Sequence, residues 1–356
     1  GHKVIDFDGD QDMDIVAMDA RGGNGSNSSV VWYENNGAGS FEKNYISNNE
    51  TLNWAGSLDV GDLDLDGDLD VVVASNQLNK IVWYENEGGG NYTFNIINNI
   101  NTASPTGISL ADMDLDGDLD MAISCFNSNI IHLIENLGSE NGSISFLNHN
   151  LINGNPLHRR SNGMFTADMN NDGYMDVVEQ HGTNITILLN SGTNDLSQAS
   201  WSLQIINDGS INNPQGDETI NKEYNPAIIQ VIDFDNDNDM DIVWGSSNAN
   251  GSGSMNANYI ANTGLQSINI YENNGGDFTS RLIQTGFESP IYALDVFDAD
   301  LDGDYDIVAA PGLYWVNPDW NNNLILISNN SIDVELENTS YQSVNLPAGD
   351  YSFDLV

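Results

Sequence analysis

The stretch Asp62-Leu-Asp-Leu-Asp-Gly-Asp-Leu-Asp70, followed at once by Val71-Val-Val-Ala74, decides how this chain folds. Five carboxylates alternate along nine residues, and they repel one another unless a cation sits among them. The glycine at the sixth place marks a sharp bend, and the β-branched run behind it reads as a buried strand. Hard oxygen donors on a flexible turn suit calcium better than softer metals. The sentence is written six times: Asp6-Phe-Asp-Gly-Asp-Gln-Asp-Met-Asp14, the copy just quoted, Asp112-Met-Asp-Leu-Asp-Gly-Asp-Leu-Asp120, Asp168-Met-Asn-Asn-Asp-Gly-Tyr-Met-Asp176, Asp233-Phe-Asp-Asn-Asp-Asn-Asp-Met-Asp241 and Asp298-Ala-Asp-Leu-Asp-Gly-Asp-Tyr-Asp306.

Numbered one to nine, each loop offers side-chain oxygens at positions 1, 3 and 5. Position 7 offers its backbone carbonyl, and position 9 closes the shell with a carboxylate able to use both oxygens, as in the first half of an EF-hand loop. The candidate metal residues are therefore Asp6, Asp8, Asp10, Asp12 and Asp14; Asp62, Asp64, Asp66, Asp68 and Asp70; Asp112, Asp114, Asp116, Asp118 and Asp120; Asp168, Asn170, Asp172, Tyr174 and Asp176; Asp233, Asp235, Asp237, Asp239 and Asp241; and Asp298, Asp300, Asp302, Asp304 and Asp306. About six Ca2+ ions are expected. Position 6 is Gly67, Gly117, Gly173 and Gly303 in four loops, Asn238 in the fifth and Gln11 in the first. An EF-hand is excluded. Position 12 is Ala17, Val73, Ile123, Glu179, Trp244 and Ala309, five of which cannot ligate, and β-runs rather than helices follow.

The charge is concentrated in these loops. They hold 28 of the 53 Asp and Glu residues in a chain of 356 residues with only eight Lys or Arg and a formal charge of −45. Six divalent ions would add twelve positive charges and leave −33. Such a surface excludes nucleic acid and anionic bilayers as partners, because both require clustered cations. No run approaches the roughly 18 apolar residues of a membrane span, so direct membrane insertion is not expected. Cys125, the only cysteine, lies in the apolar run Met121-Ala-Ile-Ser-Cys-Phe126 and reads as a buried small hydrophobe. The chain opens at Gly1, inside a repeat, which suggests a piece of a longer product.

The first aspartates of the loops are spaced by 56, 50, 56, 65 and 65 residues. Each repeat has a short apolar segment before the loop, a compact apolar run after it, and then an aromatic strand such as Val31-Trp-Tyr-Glu-Asn35 or Val82-Trp-Tyr-Glu-Asn86. A glycine turn and a last strand such as Tyr92-Thr-Phe-Asn-Ile-Ile97 complete it. Four strands per repeat, with the acidic loop joining the first two and no helix, suit a β-propeller; a parallel β-helix has shorter repeats. The equivalent aromatics Trp32, Tyr33, Trp83, Tyr84 and Trp315 are expected to pack between blades, whereas Trp54, Trp201 and Trp320 fall outside those strands. Residues 191–225 and 246–268 read as long polar insertions, and 329–356 as C-terminal strands without an acidic loop.

The Asp-X-Asp-X-Asp-Gly-X-X-Asp loop before a short apolar strand resembles the FG-GAP/VCBS repeat family, and similar loops occur in the integrin α-subunit propeller. The resemblance covers residues 1–328. It implies an all-β, calcium-loaded propeller of four-stranded blades in secreted or cell-surface proteins, with calcium ligands at positions 1, 3, 5, 7 and 9. Six loops are visible, the family commonly has seven blades, and six or seven blades are expected with seven favoured. Residues 329–356 would then be a degenerate blade, the start of another module, or a strand for assembly.

No nucleophile motif, zinc signature or phosphate loop is present. The one basic cluster, His158-Arg159-Arg160 with His149 and His181 nearby in sequence, provides the weak catalytic candidates. Its simpler reading is an arginine pair tying acidic loops together. The expected function is a calcium-binding module for binding, adhesion or structure, engaging a protein or glycan at the cell surface or copies of itself. The alternatives are a polysaccharide lyase or hydrolase on the same scaffold, and a subunit of an extracellular filament or surface layer. Asn-X-Ser/Thr triplets at Asn24, Asn27, Asn49, Asn91, Asn141, Asn184, Asn250, Asn329 and Asn338 are glycosylation sites if the source glycosylates.

Overall fold

The computed structural model describes residues 1–21, 27–37, 40–47, 52, 55–76, 78–97, 102, 104–125, 130–140, 143–153, 161–181, 184–208, 228–245, 267–285, 291–298, 303–311, 323–328 and 340–345. Among them every regular element is a strand. They form six four-stranded sheets, each with its strands in chain order. The first sheet holds β1 (His2–Ile5), β2 (Asp14–Arg21), β3 (Asn27–Asn35) and β4 (Phe41–Tyr45), and the second β5 (Ala55–Gly61), β6 (Asp70–Ser75), β7 (Lys80–Asn86) and β8 (Tyr92–Ile97). The third holds β9 (Pro105–Ala111), β10 (Asp120–Cys125), β11 (Ile130–Glu140) and β12 (Ser143–Asn153), and the fourth β13 (Ser161–Ala167), β14 (Asp176–His181), β15 (Asn184–Asn190) and β16 (Trp201–Asp208). The fifth holds β17 (Ile228–Ile232), β18 (Asp241–Gly245), β19 (Ser267–Asn274) and β20 (Asp277–Thr285), and the sixth β21 (Ile291–Phe297), β22 (Asp306–Pro311), β23 (Asn323–Ser328) and β24 (Ser340–Asn345). The described strands make six four-stranded blades of a β-propeller, with the acidic loop joining first and second strands.

The second strand of a blade is apolar throughout because both of its faces are covered. In β6 all six residues are buried. Val71 and Val73 join a core with Val16, Val30, Leu58 and Tyr84, whereas Val72 and Ala74 join Trp83, Ile108, Met121 and Ile123. The alternation of a pleated strand thus hands one set of side chains to the preceding blade and the other to the following one. The aromatics of β7 divide in the same way, Tyr84 into one core and Trp83 into the other. The outer strand is different. In β8 exposed and half-buried residues are mixed and only Ile97 is buried, as suits an edge with one wet face.

The chain divides into two compact units, one built on residues 1–166 with 190–201 and the other on 167–189 with 202–348. In the first unit the leading strands of successive blades face each other, β1 to β5 and β5 to β9. Lys3 Nζ lies 2.7 Å from Asp59 Oδ1, and Asp59 Oδ2 accepts the Leu110 N–H at 2.9 Å, so one carboxylate ties three blades. Gly56 permits this approach: a Cβ there would stand 2.6 Å from the Thr106 backbone, closer than packed atoms come. In the second unit β17 faces β21, and Gln230 Nε2 donates to the Leu294 carbonyl at 3.2 Å.

Two expectations about the chain's margins meet new facts. Among the described residues the sheets number six, not the favoured seven, and β24 from within 329–356 pairs with β23 as the fourth strand of the sixth sheet. Residues 201–208, inside a stretch read as polar insertion, form β16. Its Leu203 and Ile205 are exposed, so the segment carries the weak alternation of an edge strand, easily overlooked beside the buried runs. The rest of both long insertions lies largely outside the described residues.

Candidate metal centre

Each acidic loop is first a set of hydrogen bonds from backbone N–H groups to its own carboxylates. In the second blade Asp62 Oδ1 accepts the Asp66 N–H at 3.1 Å and Asp62 Oδ2 the Gly67 N–H at 3.0 Å. Asp64 Oδ1 accepts from Asp66 at 3.2 Å, and Asp66 Oδ1 from Asp68 at 2.9 Å. The bond from position 6 to position 1 recurs at Asp6, Asp112, Asp168, Asp233 and Asp298. Position 6 is left-handed in every loop, from φ +74° at Asn238 to +100° at Gly67, and Gln11 adopts it at +81°. Position 4 is left-handed as well: Gly9, Leu65, Leu115, Asn171 and Asn236 lie between +57° and +78°. For leucine this costs about 1 kcal/mol or more. The second bend is marked more faintly in the sequence than the first, by glycine or asparagine at position 4 in only three loops.

Position 9 is buried in all six loops, at no more than 1 % exposure for Asp14, Asp70, Asp120, Asp176, Asp241 and Asp306. Its two oxygens staple the loop to the third strand. Asp70 Oδ2 accepts the Leu63 N–H at 3.0 Å and Oδ1 the Asn86 N–H at 2.7 Å. The same pair recurs at Asp14 with Phe7 and Asn35, at Asp120 with Met113 and Asn136, and at Asp241 with Phe234 and Asn273. The asparagine side chain then does two jobs. Its Oδ1 accepts the N–H of a turn glycine, as Asn136 does from Gly138 at 3.1 Å. Its Nδ2 donates to a carbonyl at position 2 of the preceding blade: Asn136 to Leu63 at 2.9 Å, Asn190 to Met113 at 3.3 Å, and Asn273 to Met169 at 2.8 Å. Adjacent loops are thereby joined by hydrogen bonds. Position 7 faces the turn glycine: a Cβ on Gly88 or Gly138 would come within 2.9 Å of Asp68 or Asp118 Oδ2, and Asp239 Oδ2 accepts the Gly275 N–H at 2.8 Å.

The residues fit a hard cation. Carboxylate oxygens of Asp6, Asp8 and Asp10, of Asp62, Asp64 and Asp66, of Asp112, Asp114 and Asp120, and of Asp233, Asp235 and Asp241 lie within 4.8 Å of one another in each set. Asp114 is 3 % exposed and its Oδ1 is buried without a hydrogen-bond partner; Asp235 Oδ1 is in the same state. A buried carboxylate oxygen with nothing to neutralise it costs several kcal/mol, and a divalent ion removes that cost. Burial pushes Asp70 and Asp241 up to about 7 and Asp120 to about 8, against the opposing pull of their backbone N–H partners. Burial, with repulsion from Asp116 and Glu135, pushes Asp114 up to about 6. Asp8, Asp64 and Asp235 are raised for the same leading reason.

The fourth loop keeps the fold with fewer charges. Asp168 accepts from Asp172 and Gly173, Asn170 Oδ1 accepts the Asp172 N–H at 3.0 Å, and Tyr174 donates its N–H to Asp172. Asp300 and Asp302 of the sixth loop lie outside the described residues, as do His158, Arg159, Arg160, Trp54, Trp315 and Trp320. The described part of the histidine group is His149, whose Nε2 lies 2.6 Å from Glu135 Oε2. Among the glycosylation triplets, Asn91 sits exposed on the turn between β7 and β8, its Nδ2 donating to the Gly88 carbonyl.

Asn136→Ala leaves the Leu63 carbonyl and the Gly138 N–H without partners and should cost about 2–4 kcal/mol, read by denaturant melts. Asn35→Ala loses two exposed bonds, to the Met13 carbonyl within its own loop and from the Gly37 N–H, whose partners water can replace, and should cost about 1 kcal/mol. Because the raised carboxylates bind protons more readily folded than unfolded, metal-free protein is penalised fully above about pH 8 and relieved as pH falls toward 4. The melting temperature of the metal-free protein should therefore rise from pH 8 to pH 6, while that of calcium-loaded protein does not, since protons and metal compete.

The model of the FG-GAP-like repeat matches residues 6–73 and 62–123. No curated protein matches the chain. Among solved structures, one of an Agrocybe aegerita lectin, concerned with specific recognition of non-reducing terminal N-acetylglucosamine, superimposes with a TM-score of 0.57 at 16 % identity, covering 96 % of this chain and 79 % of the lectin. The Photorhabdus luminescens Tc holotoxin pore matches with a TM-score of 0.40 at 15 % identity, and the match spans 92 % of this chain but 13 % of that one. Residues 6–123 thus match FG-GAP-like repeats, and the described residues form six four-stranded blades of a β-propeller.

Proposed function

We propose that this chain is an extracellular calcium-binding β-propeller whose blades serve as a binding or adhesion surface for a protein or glycan. The observation that carries the reading is the Asp112, Asp114, Asp120 set, in which a buried carboxylate oxygen has no hydrogen-bond partner. Calcium takes oxygen ligands at 2.3–2.6 Å from flexible turns, and these loops hold such oxygens close together at the junction of first and second strands. Asp62, Asp64 and Asp66, and their equivalents, would hold the ion. The ion supplies charge neutralisation and rigidity, not chemistry on a substrate. Position 9 ties each ion-bearing loop to the third strand, so filling a loop stiffens its blade.

The compartment follows from supply. Loops of this kind fill readily where free calcium is abundant, outside the cell, and the resting cytosol is poor in it. A formal charge of −45 supports a partner that is neutral or basic rather than a nucleic acid. The fold shared with a lectin makes glycans the first class to screen.

Calcium should raise the melting temperature of EDTA-treated protein by more than about 10 °C, since each filled site adds about 2.7 kcal/mol at a hundredfold excess over Kd. A melt that ignores both calcium and EDTA contradicts the metal role. A glycan array that includes N-acetylglucosamine-terminated chains, run with and without calcium, tests the binding role; signal that vanishes with EDTA supports it.

A further inference from the structure

Blade three buries a histidine where blade two buries a valine. His132 of β11 stands opposite Ile123 of β10, as Val82 of β7 stands opposite Val73 of β6. Each seat faces the preceding blade. Val82 belongs to the core shared with blade one, and Ile134, two residues on from His132 and so on the same face, belongs to the core shared by blades two and three. Val82 is fully buried and His132 is 3 % exposed. The outer strand changes with it: Asn148 and Asn150 of β12 take the places that Phe94 and Ile96 hold in β8. A polar seat has thus replaced an apolar one, inside a seam lined by Ala74, Ile81, Trp83, Ile123 and Cys125.

The ring has a partner for only one of its nitrogens. His132 Nδ1 lies 3.2 Å from Asn148 Oδ1, which accepts from the Nδ1–H tautomer, and Nε2 is buried without a hydrogen-bond partner. A neutral ring tolerates this, because its second nitrogen carries only a lone pair. An imidazolium does not, because it places an N–H and a positive charge in the apolar seam. Among the described residues the charged groups of the seam are engaged elsewhere. Asp59 is held by Lys3 and the Leu110 N–H, Asp70 by the Leu63 and Asn86 N–H groups, and Glu85 by Asn95 Nδ2. The Cys125 thiol on β10 supplies no charge to the seam. On β12, His149 pairs in register with Leu133 and so points to the other face, where it meets Glu135. Burial accordingly holds His132 below the ordinary histidine range, against the smaller opposing pull of Asn148.

We propose that His132 makes the seam between blades two and three an acid-labile joint, in which a proton taken up at Nε2 drives the ring toward water and parts the two blades. A ring that is neutral when buried and charges when released contributes stability that is present above about pH 6.5 and is lost as pH falls below it. The sign is opposite to that of the loop aspartates, whose protonation relieves the metal-free protein. The joint needs no metal, so it stands apart from the reading of the loops as calcium sites.

Wild type, His132→Val and His149→Gln are unfolded in denaturant from about pH 7.5 to about pH 5, once in saturating calcium and once in EDTA, and compared at equal pH so that the aspartates cancel. Relative to His132→Val, which copies the residue of blade two, the folding equilibrium constant of wild type should fall by up to about tenfold for each pH unit below about 6.5. His149→Gln, which removes the other histidine of β11 and β12, should keep that acid loss. Hydrogen exchange in wild type, referred to unstructured peptide at each pH, should show β7, β10 and β11 opening ahead of the other strands of blades one to three. The ring signal of His132 among the five histidines, followed by NMR in folded wild type, should titrate below about pH 6.5 or not at all. An acid loss of equal size in His132→Val overturns the proposal. So does a folded-state ring signal that titrates at or above about pH 6.5, a result that does not depend on any variant folding.

Discussion

One buried carboxylate per blade holds this architecture together. The aspartate at position 9 accepts one backbone N–H from the start of its own loop and another from the end of the third strand. It therefore fixes a bend in the chain and the strand two places away with a single side chain. Burying a charge is costly unless hydrogen bonds or ions compensate it. Here two N–H groups compensate part, and the remaining carboxylates of the loop raise the demand for a cation. Stability and loop shape are in this way one problem with one solution, repeated along the chain.

The solution also explains what sits around it. Position 2 is apolar, and its described residues, Phe7, Leu63, Met113, Met169 and Phe234, are all buried, because the residue whose N–H is clamped is drawn into the core. The turn after the third strand needs glycine because φ is positive there and, in the first three blades, because a Cβ on Gly37, Gly88 or Gly138 would collide with the position 7 carboxylate. In blades three, four and five the asparagine reaches back to the preceding blade, whereas Asn35 and Asn86 donate to carbonyls of their own loops. Repeats of this kind gain stability from neighbours more than from themselves.

Much of this was legible in the residues. The loop, its sixth-position bend, the four strands per repeat and the two-sided burial of runs such as Val71-Val-Val-Ala74 follow from charge spacing and β-branched composition. The left-handed state of Leu65 and Leu115 was not legible, because leucine does not advertise a positive φ; only the glycine and asparagines at the same position in other loops hint at it. The double role of Asn136 was hidden for a different reason. An asparagine that ends a strand looks like an ordinary terminator, and its partner at Leu63 is a backbone carbonyl 73 residues away, which leaves no mark in sequence. The count of blades depended on β24, whose polar sequence Ser340-Tyr-Gln-Ser-Val-Asn345 marks an outer strand only once it is seen paired with β23.

The central claim is that the acidic loops cage divalent cations. Crystals grown with calcium, measured at a long wavelength for anomalous scattering, address it most directly. The account predicts a peak within each of the sets Asp6/Asp8/Asp10, Asp62/Asp64/Asp66, Asp112/Asp114/Asp120 and Asp233/Asp235/Asp241, bounded by oxygens at about 2.3–2.6 Å. Loops that keep these backbone hydrogen bonds at saturating calcium yet show no anomalous peak would contradict it.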